Sequence, residues 1–213
     1  MNITMSNKEN KKISIELAEI SNKYICTTLH LTCSSPYINF LEIAHNLKIN
    51  NILALKGDNP TDMYANELVS FITDTYNEEF CIMVAGYPNG HPDSKDLKTD
   101  IYYLKKKVDA GADIIITQIF FDINNYIDFY NRCREAGIKC PIIPGIYVIN
   151  SFKSLNNIIK LTKVEPPKEI LDNLYSMTED QIKIYGYNLS LMMCKKLLEL
   201  EYVPGLYFYT MNN

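Results

Sequence analysis

Five times along this chain a short apolar run of strand length gives way to stretches with helical spacing, and a sixth such run lies near its end. That alternation constrains the fold more than any single motif. The apolar runs fall at residues 27–32, 51–56, 80–85, 113–120, 141–146 and 205–209. Amphipathic stretches follow near 37–47, 63–75 and 96–110, then up to Gly137, and then over 152–161 and 179–200. Strands alternating with helices build parallel sheets covered by helices, so the fold class is α/β. A doubly wound open sheet needs about five or six strands and fits this count. An eight-stranded barrel typically takes about 250 residues, more than this chain offers. Periodicity does not choose between them. In both architectures the chemistry gathers at the carboxyl ends of the strands.

The chain has 213 residues, 47% hydrophobic and 22% charged, enough for one domain with a sizeable core. A net charge of -4 and the lack of any basic patch interleaved with aromatics argue against a nucleic-acid partner. Six dispersed cysteines (26, 33, 81, 133, 140 and 194) form no CxxC pair, so they read as reduced thiols of a cytosolic protein. No apolar stretch approaches membrane-spanning length. Residues 1–11 are polar and expected to be disordered, and Ile13, Leu17 and Ile20 mark a short amphipathic helix within a segment 1–23.

The strand ends carry the informative residues. The run NILAL at 51–55 stops at Lys56, Gly57 and Asp58. Glycine admits close approach to the backbone and the aspartate sets a charge beside it, although a plain strand-to-loop turn also uses these residues. After 80–85 comes GYPNGHP, stiffened by two prolines, in which Tyr87 can face a ring and His91 can donate to a phosphate or hydroxyl. The 96–110 segment carries Asp100, Tyr103, Lys106 and Lys107, readable as a solvated ion-paired face or as cations for a pyrophosphate. Gln118 closes an isoleucine-rich run where an amide has no packing role and can read a flat heterocycle. His30 lies in an apolar run and is equally a core histidine, while His45 has no companion and is assigned nothing.

Taken in order, HLTC at 30–33, NILALKGDNP at 51–60, MYA at 63–65, AGYPNGHPDS at 85–94, KKKVDAGAD at 105–113, ITQIFFD at 116–122, CPIIPGI at 140–146 and VPGLYFYTMN at 203–212 resemble the methylenetetrahydrofolate reductases. The detail is similar to the eukaryotic branch. The resemblance implies a (β/α)8 TIM barrel holding FAD at the carboxyl ends of its strands, with NAD(P)H as co-substrate. It implies ping-pong hydride transfer that turns 5,10-methylenetetrahydrofolate into 5-methyltetrahydrofolate, within one-carbon and methionine metabolism. By motif position His30, Lys56, Gly57, Asp58, Ala65, Tyr87, His91, Ser94, Asp100, Tyr103, Lys106 and Lys107 would line the FAD. Asp58 and Gln118 would be catalytic, and Gln118 and Tyr209 would meet the substrates. The implied partners are the folate and the nicotinamide nucleotide, with no nucleic acid and no membrane; a homo-oligomer is left open.

The departures are specific. Family barrels begin with two further strands, the first bearing a general-acid glutamate that has no counterpart here, and a last barrel helix is missing. Lys56 stands where the family has an arginine, which is not a neutral exchange. The expectation is therefore a barrel of about six βα units truncated at both ends, with 24–213 as its FAD-binding part. The 27–32 and 205–209 strands would be unpaired edges, and folate reduction would be impaired. The alternative from another class is an inactive remnant or interaction fragment of such an enzyme. A different phosphate-binding α/β enzyme such as an aldolase ranks last, because Lys56 is the sole strand-end lysine. No G-x-G-x-x-G fingerprint separates NADH from NADPH.

Overall fold

The computed structural model describes residues 1–4, 11–34, 36–57 and 63–210. Two compact units divide the chain: Met1–Ala85 with Tyr103–Ile115, and Gly86–Tyr102 with Ile116–Asn213.

The first unit holds strands β1 (Asn2–Thr4), β2 (Thr28–Thr32), β3 (Asn51–Leu55) and nearly all of β4 (Cys81–Gly86). They lie in sequence order, each parallel to the next, with Thr4 opposite His30 and His30 opposite Leu53. Helices α1 (Lys11–Asn22), α2 (Tyr37–Asn46) and α3 (Ala65–Tyr76) make the crossovers. Leu29, Leu31, Leu41, Ile52, Leu68, Ile72 and Ile82 are buried to 2% exposure or less. Each such side chain stabilises the fold by about 1.5–3 kcal/mol relative to leaving it in water.

The second unit holds most of β5 (Ile114–Ile119), then β6 (Ile142–Tyr147) and β7 (Tyr207–Tyr209), again in sequence order, with β6 and β7 parallel. Helix α4 (Leu97–Asp109) begins in this unit and ends in the first; α5 (Ile123–Glu135), α6 (Phe152–Thr162), α7 (Lys168–Tyr175) and α8 (Glu179–Leu198) belong to the second. Ile119, Tyr147, Leu155, Ile158, Leu174 and Ile182 share its core.

Doubly wound sheets reverse their strand order at a switch point, whereas barrels add strands sequentially. Among the described residues neither unit contains a reversal. The connectivity is that of a partial (β/α)8 barrel, and the choice that periodicity left open is made by strand order.

Four local features differ from expectation. Among the described residues there are seven strands, one more than the apolar runs suggest, because β1 is only three residues long with Ile3 as its one apolar side chain. It pairs with β2, so the 27–32 strand is no edge, and residues 2–4 are ordered into the sheet. Helix α1 is longer than predicted and turned over. It buries Ser14, Ala18 and Ser21 and leaves Ile13, Leu17 and Ile20 about half exposed. Small residues allow the close approach, and the Thr27 hydroxyl donates to Ser21 Oγ at 2.8 Å, so the buried polar face is partnered. Helix α7 was not foreseen. His45, given no companion, pairs through Nδ1 with Glu79.

Candidate functional site

In the first unit, the residues singled out lie on β2 and around the ends of β3 and β4. His30, the third of five residues in β2, is half-buried, and desolvation lowers its pKa to about 4, so the ring is neutral at neutral pH. Lys56 leaves β3 with its ammonium 4.9 Å from the centre of the Tyr64 ring, within cation–π range. Gly57 has φ +81°, and a Cβ there would lie 2.9 Å from Thr32 Cβ. The glycine is required by its conformation and by the Thr32 wall. Asp58 lies outside the described residues. Ala65 opens α3, whose start is capped by Glu67 accepting from the Tyr64 N–H at 2.6 Å.

Helix α4 delivers the lysines differently. Lys105 pairs with Asp109 along the helix. Lys106 stands over the Tyr103 ring at 5.7 Å, and Tyr103 is 54% exposed. Lys107 reaches inward, and its Nζ donates to the Ala85 carbonyl at 2.7 Å. Ala85 is the penultimate residue of β4, so a positive charge sits at the carboxyl end of that strand. Lys107 is thus brought to a strand end, while Lys105 is spent on a surface ion pair.

In the second unit, the loop after β4 is held by its own hydrogen bonds. Gly90 N–H donates to Tyr87 O at 2.9 Å, and Ser94 N–H to His91 O at 2.9 Å. Tyr87 and His91 meet edge to face with ring centres 4.5 Å apart. His91 Nδ1 accepts the Asp93 N–H at 3.1 Å, which leaves Nε2 as the ring's donor. Ser94 Oγ donates to Asp96 O, and the Asp96 carboxylate accepts the Thr99 N–H at 2.7 Å, which holds its pKa below the usual range. Arg132 of α5 donates to Pro88 O at 3.4 Å. Asp100 is half-buried in the first turn of α4.

Gln118 is half-buried on β5, and its Oε1 accepts from the Ile119 N–H at 2.9 Å. Tyr209 is tied down: its hydroxyl donates to Thr117 O at 3.0 Å, and burial pushes its pKa up. Gly145 lies against the same pair. A Cβ on it would fall 2.3 Å from Thr117 O and 2.6 Å from the Tyr209 ring, and its N–H donates to Thr117 Oγ1.

Sequence reasoning passed over Thr117, Gly145, Arg132 and Lys163. The PGI stretch holding Gly145 was legible as a motif, but only geometry shows what crowds it. A cavity of about 280 Å³ in this unit is lined by His91, Ser94, Asp96 and Lys163 among others. Among the described residues, no group of three or more His, Cys, Asp or Glu is arranged to hold a metal. No described helix is long and apolar enough to cross a membrane.

Comparison with known proteins bears on the fold and on the family. A solved structure of an uncharacterized protein from Clostridium thermocellum, which binds two copies of 5-methyl-5,6,7,8-tetrahydrofolic acid, superposes with a TM-score of 0.60 at 18% identity, covering 97% of this chain and 86% of that one. It shares the fold. Methylenetetrahydrofolate reductase 2 of Saccharomyces cerevisiae is 39% identical over 205 residues, 87% of this chain and 34% of that protein. The 5,10-methylenetetrahydrofolate reductase of Buchnera aphidicola is 41% identical over 200 residues, 88% of this chain and 67% of its own length. The chain thus spans about a third of the yeast relative and two-thirds of the bacterial one. The family model for methylenetetrahydrofolate reductase matches residues 2–213, and the chain belongs to that family.

Proposed function

We propose that this chain binds FAD and serves the reduction of 5,10-methylenetetrahydrofolate to 5-methyltetrahydrofolate with NAD(P)H as hydride donor. The observation that carries the reading is Lys107, its ammonium seated at the carboxyl end of β4 in a chain of this family. The donor chemistry fits a dinucleotide: lysine cations suit a diphosphate, and neutral imidazole N–H groups suit hydroxyls or phosphate. FAD, when bound, supplies a ring that accepts hydride from the nicotinamide and yields it to the folate's methylene carbon.

The chain's residues bind and orient. Lys56, Lys106 and Lys107 neutralise the diphosphate, with Gly57 and Ala65 shaping the backbone beside it. Tyr87, His91 and Ser94 form a preorganised loop for the nucleotide, with Asp100 and Tyr103 accepting from or packing on its sugar. His30, midway along β2, stays neutral and adds no competing charge. Gln118 reads the pterin and the nicotinamide in turn, which makes the two substrates alternate. Tyr209 walls the same substrates while remaining held by Thr117. The carboxylate assigned by resemblance to the flavin's pyrimidine edge is Asp58.

Hydride transfer from the nicotinamide needs no proton donor, whereas opening the methylene bridge does. General acid assistance is worth about 10²–10⁴ in rate. A reducing, cytosolic setting fits the free thiols. Lys56→Ala and Lys107→Ala test the diphosphate assignment. Each is expected to lower FAD retention through gel filtration, and unchanged flavin content in both variants would contradict it.

A further inference from the structure

We propose that Lys163 is a phosphate-binding residue of this protein's dinucleotide chemistry, an inference that rests on the reading above. The argument lies wholly within the second unit. The cavity of about 280 Å³ forms where the 89–97 segment meets the end of α6, with Gly90, His91 and Ser94 on one side and Thr162 and Lys163 on the other. Sites for a whole drug-sized ligand run roughly 300–1,000 Å³. This one suits part of a ligand, such as a phosphate with its sugar.

Lys163 caps α6 in the left-handed conformation, φ 59° and ψ 19°, and its N–H donates to Ile159 O at 2.8 Å. Glycine or asparagine usually takes that position, because a Cβ is disfavoured there. Lys48 takes the same conformation after α2, with φ 56°, so it is the cavity beside Lys163 that singles its side chain out. Both neighbours anchor it. Thr162 is buried and donates to Ile158 O at 2.8 Å, and Val164 is buried with its N–H on Thr162 Oγ1. Lys163 itself is exposed and makes no ion pair among the described residues.

The opposite side completes an anion site. His91 has Nδ1 occupied by the Asp93 N–H and therefore donates through Nε2. Among the described residues lining the cavity the one carboxylate is Asp96, which keeps its negative charge but turns an oxygen to the Thr99 N–H as the cap of α4. A cation and an N–H donor thus share a space of phosphate size, beside an acid that already has a partner. Two phosphate esters suit it: the diphosphate of FAD, or the 2′-phosphate that distinguishes NADPH from NADH.

The test uses Lys163→Asn, which removes the charge while tolerating the left-handed backbone, and Lys163→Arg, which keeps the charge. FAD and riboflavin affinities come from fluorescence titration, KM values from NADPH and NADH, and the thermal midpoint monitors folding. If the diphosphate is the ligand, Lys163→Asn weakens FAD about tenfold and leaves riboflavin unchanged. If the 2′-phosphate is the ligand, the KM for NADPH rises by about the same factor while that for NADH stays put. Lys163→Arg restores wild-type values in either case. Wild-type values throughout in Lys163→Asn would overturn the proposal, as would equal losses for riboflavin and FAD or for NADH and NADPH. A wild-type chain that retains no flavin would instead fail the functional reading before any variant is made.

Discussion

At the end of β3 and in the middle of β6 the chain places a glycine, and the two are needed for different reasons. Gly57 has a backbone that side chains avoid, φ +81°, and it is walled by the Thr32 side chain at 2.9 Å. Gly145 is crowded by backbone: Thr117 O would lie 2.3 Å from a Cβ, and the Tyr209 ring closes the other side. In sequence, Gly57 looks like room left for a ligand, whereas Gly145 passes unremarked. In the structure protein fills both places, with the Thr32 Cβ, fixed to its own backbone, at one and a main-chain carbonyl at the other. The lesson concerns what each glycine is for. Gly145 is needed for space alone, whereas Gly57 is needed for space and for its left-handed backbone.

Substitutions can break that contrast. Gly145→Ala should do the most damage, because the carbonyl cannot move without breaking the β5 and β6 contacts. A loss near the upper end of the roughly 1–3 kcal/mol typical of overpacking is expected by denaturant unfolding. A loss within experimental error would mean the Thr117–Tyr209 region is soft.

Acid should separate the regions next. The His30 pKa is lowered to about 4 from an ordinary 6.5, so the unfolded chain binds this proton first. Its contribution is constant above pH 6.5 and falls as pH drops from 6.5 toward 4. At pH 5 the loss is about 2 kcal/mol relative to pH 7. His30→Asn should flatten that window, and an unchanged pH profile in the variant would assign the loss elsewhere.

Gly57→Ala follows, at about 1–2 kcal/mol from the left-handed backbone, with the fixed Thr32 Cβ as the other obstacle. Adding Thr32→Gly, which removes that Cβ, and comparing with Thr32→Gly alone should recover little if φ dominates and much if the wall does. Tyr209→Phe is the mildest. It strips Thr117 O of one donor and costs about 1 kcal/mol, while the ring still packs on Gly145.

The runs that became β2 to β7 were legible because buried parallel strands are nearly continuous apolar text. Strand β1 was not, since three residues with one isoleucine are indistinguishable from a polar tail. In α1 the apolar stripe was correctly seen and its direction was not: periodicity shows which face is apolar, and only packing shows which face is buried. Among the site residues, Lys107 could be named from its motif, but its bond to Ala85 depends on two segments 22 residues apart. Tyr209 was read as a substrate contact, and nothing in VPGLYFYT reveals that its hydroxyl is already held by a residue 92 positions earlier. Lys163 carried no sequence signal except its place after a helix, where glycine is the usual choice.

The most direct test of the account is the absorbance spectrum of the purified chain after incubation with FAD and gel filtration, then after anaerobic NADPH or NADH. The account predicts a co-eluting band at roughly 450 nm that bleaches on reduction. A colourless protein after both steps would contradict it, because the strand-end lysines would then be holding no flavin.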